Sequence, residues 1–226
     1  MKEESTHALA TRMAELARQI AQPIAVDEVL SSVTSTAREM IPGADAAGVL
    51  LITRGGKFES RGTTSALLHQ LDELQVLLGE GPCINAAVDD LIVHTDDFAS
   101  EQRWPRYSHE VQKLGIRSSM SFKLYTSSHN AGALNIFSFT PRVFTPESEA
   151  TGTVLAAHAA AAILASRRGE ALESALVTRD IIGQAKGIIM ERFKIDAVAA
   201  FDLLRKLSQT TNMRLAEVAV QVVQTR

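Results

Sequence analysis

The stretch from Arg179 to Phe193, "RDIIGQAKGIIMERF", decides how the C-terminal part of this chain folds. Its apolar residues keep a helical rhythm, yet it holds two glycines, Gly183 and Gly187, on either side of Lys186. An interior glycine costs a helix about 1 kcal/mol relative to alanine, so two of them around a lone lysine need a reason. On a wheel of about 100° per residue, Ile182, Ala185, Ile189 and Phe193 gather into a face predicted to be buried. Arg179, Gly183, Lys186 and Met190 form a second stripe beside it, with the two cations roughly 10 Å apart along the axis.

Working outward, no proline and no turn cluster interrupts residues 147 to about 193, so one long helix or two abutting ones are expected. Leu172, Leu176, Arg179, Gly183, Lys186, Met190 and Phe193 repeat at 4-3-4-3-4-3, a heptad rhythm whose middle members are not apolar. Asp196 is placed to cap a second helix with Ala200, Phe201, Leu204 and Leu207 facing inward. After the polar turn "SQTTN", Leu215, Val218, Ala219 and Val222 mark one face of a third helix. The C-terminal residues therefore read as a three-helix unit fed by a long connecting helix.

Upstream the pattern changes. Leu9, Met13, Leu16 and Ile20 give a helical stripe over residues 5–21, and Leu30, Val33, Ala37 and Ile41 give another, ended by "PG" at 42–43. "DAAGVLLIT" reads as a buried strand, joined through "RGGK" to "FESRGTT" as a hairpin. Residues 65–78 look helical and end at "GEGPC", "LIVHT" is a short strand, and 101–113 is a helix stopped by Gly115. "IRSSMSFKLY" and "AGALNIFSF" are strands joined by "TSSHN". Helices alternating irregularly with hairpins predict an α+β fold on an antiparallel sheet rather than a doubly wound parallel one.

Composition narrows the function. Of the 226 residues 46% are hydrophobic, enough for a packed core, and no apolar run approaches the ~20 residues of a membrane span. The charged, amphipathic "MKEESTHALATRMAEL" lacks the apolar centre of a signal peptide. With one cysteine, Cys83, there is neither an internal disulfide nor a cysteine-clustered zinc site, so a cytoplasmic protein that does not engage the membrane is expected. The net charge of −3 argues against a surface that binds nucleic acid throughout. Between Arg179 and Arg214, however, seven Lys and Arg face four Asp and Glu.

Motifs for catalysis are missing: there is no phosphate loop of Walker type, no HExxH, no GxSxG, and no histidines at metal-ligand spacing. No catalytic residue, metal or cofactor is assigned. Cys83 follows "GEGP" where a helix begins, a position that can lower a thiol pKa, but a small buried residue after a proline turn is the plainer reading. Trp104, in "RWPRY", lines a ligand pocket or plugs the core under a loop. These two are the candidate sensor-pocket residues.

The Lys186 stripe admits two readings. It lets a phosphate backbone approach, with Arg179, Lys186, Arg205, Asn212 and Arg214 as partners and Ser208 and Gln209 supplying hydrogen bonds. Alternatively it is a dimer seam, with Gly183 permitting close helix crossing. A helix-turn-helix DNA regulator on residues 196–224 is a further alternative, poorly equipped because its last helix offers only Arg214, Glu217, Gln221 and Gln224.

"RDIIGQAKGIIMERF…AFDLLRKLSQTTNMRLAEVAVQVV" resembles an ANTAR domain, the three-helix RNA-binding module of bacterial antiterminators. Its blocks R-x-x-I-x-Q-A-K-G-x-x-M, A-F-x-x-L-R-x-x-S-Q and N-x-x-L-x-x-V-A occur in order. The resemblance implies that Gln184, Ala185, Lys186 and Gly187, then Arg205, Ser208 and Asn212, serve RNA binding, and extends to Arg179, Met190, Gln209 and Arg214. It also implies a homodimer bound to two-hairpin leader or terminator-proximal RNA, preventing a terminator hairpin from forming. "GEGPC", "WP", "LGIRSSMSFKL" and "GALNIFS" make the preceding region similar to a GAF sensor domain, most like those of actinobacterial regulators, implying a small-molecule ligand there. The cyclic-nucleotide signature of some GAF members is missing. A GAF-type redox enzyme using Cys83 is the least favoured alternative, since no second thiol could resolve an oxidised one. The expected domains are an N-terminal helix over 1–22, a GAF domain over 23–168 and an ANTAR domain over 169–226.

Overall fold

Alternating side chains on two long central strands organise the N-terminal part. The structure, a computed structural model, describes residues 11–15, 17–18, 25–52, 57–84, 91–127 and 130–225. A five-stranded antiparallel sheet runs in the order β2-β1-β5-β4-β3. Its strands are β1 (Ala46–Ile52), β2 (Phe58–Arg61), β3 (Ile92–Thr95), β4 (Ser118–Ser127) and β5 (Asn130–Ser138). In the β4–β5 register Met120 lies opposite Ile136 and Phe122 opposite Leu134, while Ser121 lies opposite Asn135. Period-2 alternation thus gives one apolar face and one partly polar face.

Helix α1 (Val26–Met40) and the start of a long helix, α4 (Pro146–Phe193), cover the apolar face. Leu30, Val33 and Ala37 of α1 and Leu155, Ala159 and Ile163 of α4 join Phe122, Leu134 and Ile136 in one core. Gly152 makes this packing possible, because a Cβ there would come within 2.2 Å of the Phe122 ring. Helices α2 (Leu67–Leu78) and α3 (Pro105–Lys113) cover the other face, where Leu68, Leu71, Tyr107 and Val111 pack with Ala133 and Phe137. The antiparallel α+β architecture expected from the sequence is the one observed. Residues 11–15 and 17–18 are helical, but the rest of the helix expected over 5–21 lies outside the described residues, as do 53–56 and 128–129, where the sequence predicted turns.

The chain divides into compact units at Ser166 and Arg167. In the second unit the end of α4 packs with α5 (Ala197–Thr211) and α6 (Leu215–Gln224). Asp196 caps α5 as predicted: its carboxylate accepts from the backbone N–H groups of Val198 and Ala199 at 2.9 and 2.8 Å. The core is Ala185, Ile189, Ala200, Leu204, Val218 and Ala219. Three of the expected inward residues do not belong to it: Phe193, Phe201 and Leu207 are 59%, 37% and 40% exposed. The physical reason is helix spacing. Three alanines at the centre let the helices approach closely, and the larger side chains are pushed to the margin. Among the described residues no helix is long and apolar enough to cross a membrane.

Candidate functional site

Two helices and a turn present the candidate residues of the second unit. On α4, Arg179, Gln184 and Gly187 are exposed, and Lys186 is half-buried. Ala185 is fully buried in the core, and Met190 packs against that core from its edge. Neither offers a contact comparable to its neighbours; Ala185 sets the helix spacing instead. A Cβ built on Gly183 or Gly187 would meet nothing within 4 Å, so no packing inside this unit asks for either glycine. Among the described residues, Arg179 and Lys186 have no ion-pair partner.

On α5, Arg205 and Gln209 are exposed, and Arg205 has only a loose pair with Asp202 at 3.6 Å. Ser208 holds the turn together: its hydroxyl donates to the Met213 carbonyl at 2.6 Å, and its own carbonyl accepts from the Asn212 and Met213 N–H groups. Its hydroxyl proton is therefore committed inside the unit. Asn212 takes the left-handed conformation at φ 54° that ends α5, leaving its amide exposed. Arg214 opens α6, where its backbone N–H donates to Glu217 at 3.2 Å while its side chain remains exposed. Phe201, Asn212, Arg205 and Gln209 fall within an arc of about 80° on the wheel of α5.

Of the two readings open for Cys83 and for Trp104, the first unit shows the core one and not the pocket one. Cys83 and Trp104, at 0% and 4% exposure, are both core residues. Gln75 clamps Cys83: its side-chain amide donates to Sγ at 2.7 Å and its Oε1 accepts from the Cys83 N–H at 2.8 Å. Burial, aided by the nearby Asp72 charge, pushes the thiol well above its ordinary pKa, the reverse of what a nucleophile needs. Trp104 packs beneath the loop that precedes α3, with the Arg103 guanidinium 4.4 Å from its ring centroid.

A cavity of about 580 Å³ lies instead between β2 and α2, walled by Leu50, Phe58, Val76 and Leu77 with Ser60, His69 and Asp72. Burial raises the Asp72 carboxyl from 3.8 to about 6, although Ser60 donates to it at 2.5 Å. Sequence reading missed Asp72 and Gln75, because a polar residue on a leucine-rich helix gives no signal of burial until the sheet is placed beneath it.

Comparisons with known proteins fit this division. The ANTAR domain model matches residues 170–223 and the GAF domain model residues 23–164. No curated protein matches the chain. Among solved structures the chain is similar to the phytochrome photosensory core module of Stigmatella aurantiaca, at 12% identity and a TM-score of 0.59. That match covers 90% of this chain and 45% of the other, so the chain spans less than half of that module. It is also similar to the phycoerythrobilin-bound GAF domain of a cyanobacterial phytochrome (11% identity, TM-score 0.56, covering 72% and 97%). A third likeness is to a free methionine-R-sulfoxide reductase from Neisseria meningitidis (15%, 0.51, covering 71% and 91%). At such identities these likenesses show the fold alone.

Proposed function

Because the chain belongs to the GAF-domain family and carries an ANTAR domain after its GAF domain, we propose that it binds paired RNA stem-loops through the Lys186 surface, as a transcription antitermination regulator under GAF control. The GAF domain is a sensor type and the ANTAR domain an RNA-binding antitermination type, so the chain is a regulator in kind. The observation that carries the finer reading is a pair of cations, Arg179 and Lys186, without an ion-pair partner among the described residues, on a helix whose Gly183 and Gly187 stand in open space. Hairpin-loop RNA is read by close approach, cations on its phosphates and hydrogen bonds to splayed bases. Gln184, Arg205, Gln209, Asn212 and Arg214 supply those groups, and Gly183 and Gly187 supply the room.

In this reading the chain works as a homodimer in the cytoplasm and is not an enzyme. Leu172, Leu176 and Val177 of α4, at 64%, 51% and 59% exposure, supply the seam with a second copy. A small molecule at the GAF domain, with the cavity beside Asp72 as one place for it, biases α4 and thereby the RNA surface.

Binding to a two-hairpin RNA is measured across a salt series, with duplex DNA as competitor. Lys186→Ala is expected to weaken RNA binding and to reduce the slope of log K against log salt by roughly 0.7–0.9, as for one lost phosphate contact. Unchanged affinity and slope would refute the assignment, as would preferential binding of the duplex. Sedimentation showing a monomer with and without RNA would refute the dimer.

A further inference from the structure

Phe193 and Phe201 lie on the surface of a unit whose core is filled by alanines, isoleucine, leucine and valine. Neither phenylalanine is needed to fill that core, and each sits where a cation is close. Phe193 is seven residues after Lys186, on the same side of α4 and roughly 10 Å further along, between Arg192 and Lys194, which are both exposed. Phe201 is one turn before Arg205 on the exposed side of α5, with Val198 beside it at 72% exposure.

We propose that Phe193 and Phe201 are stacking platforms for unpaired bases of the bound RNA, set at the ends of the Lys186 and Arg205 stripes. This rests on the RNA-binding reading and adds to it the residues that grip bases rather than phosphates. Bases in single-stranded loops are held by stacking on aromatic side chains, with hydrogen bonds to their edges from neighbouring polar groups. Arg205, Gln209 and Asn212 share an arc with Phe201 and are placed for those edges. A protein partner would also cover an exposed phenylalanine, but interface centres are depleted of lysine. Arg192 and Lys194 adjoin Phe193 in the chain, and Arg205 and Lys206 follow Phe201; Lys194 pairs with Glu191 at 3.1 Å and Arg205 loosely with Asp202 at 3.6 Å, which leaves an excess of cations suited to a polyanion.

The test uses the full chain and a two-hairpin RNA recovered by binding selection on the wild type. Each loop adenine is replaced in turn by 2-aminopurine, whose fluorescence falls when it stacks. Phe193→Ala and Phe201→Leu should each weaken binding by roughly 5- to 100-fold with an unchanged salt slope and should restore fluorescence at one loop position. Leucine keeps the apolar volume of Phe201 but has no π face, and Phe193→Trp should bind at least as tightly as wild type. Far-UV circular dichroism confirms the fold of each variant. Wild-type affinity in both variants, or a Phe193→Trp as weak as Phe193→Ala, would overturn the proposal. So would a change in sedimentation of Phe193→Ala without RNA, which would make the ring a contact between protein copies. Loss of binding in Lys186→Ala but not in the phenylalanine variants would leave the RNA reading standing and remove this one; no selectable RNA at all would remove both.

Discussion

Replacing Gly183 and Gly187 together by alanine separates what the glycines cost from what they do. Each lies inside α4, is exposed, and has nothing within 4 Å of the position a Cβ would take. Neither methyl meets an obstacle within the unit. The helix then gains the propensity difference, about 0.8–1.0 kcal/mol at each site and so about 2 kcal/mol for the pair. For a unit the size of Arg167–Arg226, that raises the midpoint of its thermal transition by on the order of 10 °C. Calorimetry on the full chain reads this shift directly. The same methyls stand on the surface proposed for the RNA backbone, so on that proposal affinity for the two-hairpin RNA should fall by about tenfold, close to 1.4 kcal/mol. A double variant that is more stable and binds as well as wild type would refute the idea that the glycines make room for RNA. A variant that is no more stable would refute the claim that nothing inside the chain requires them.

Two further outcomes follow from the first unit. The Asp72 carboxyl is raised in the folded state from 3.8 to about 6, so its proton favours folding; that contribution is complete below pH 3.8 and is lost as pH rises through 6. Asp72→Asn should therefore stabilise the unit by about 3 kcal/mol at pH 7, with the gain vanishing below pH 4, read from urea midpoints across pH. Gly152→Ala would drive a methyl to 2.2 Å from the ring of Phe122, itself 1% exposed, and should destabilise by about 1–3 kcal/mol in the same assay.

Much of the fold was legible because period and punctuation agreed. The β4–β5 hairpin showed as two alternating runs around a polar turn, and α4 as a proline-free stretch from 147 to 193. The interior of the C-terminal bundle was less legible. A wheel finds which residues share a face but does not rank them, and so it set Phe193 and Phe201 inward on equal terms with Ala185 and Ala200. The true centre, Ala185, Ala200 and Ala219, is chosen by how closely three helices approach, which one helix's pattern does not encode. Cys83 is buried, as the plainer reading had it, and Trp104 takes the core side of its two readings; the Gln75 contact that holds Cys83 shows only once α2 is placed beside it. On the candidate RNA surface Arg179 and Gln184 are exposed, as their place on the wheel of residues 179–193 implied, and Arg205, Gln209 and Arg214 are exposed as well, whereas the Ser208 hydroxyl is engaged by its own turn.

The clamp of Gln75 on Cys83 has a practical consequence. A thiol that is fully covered, hydrogen-bonded and held in its protonated form reacts with an alkylating reagent only when the structure around it opens. Since the chain has one cysteine, its labelling rate, divided by that of the same thiol in the unfolded chain, reports those openings alone. A small molecule that tightens the sensor half would announce itself as a slower clock, whatever the second unit binds.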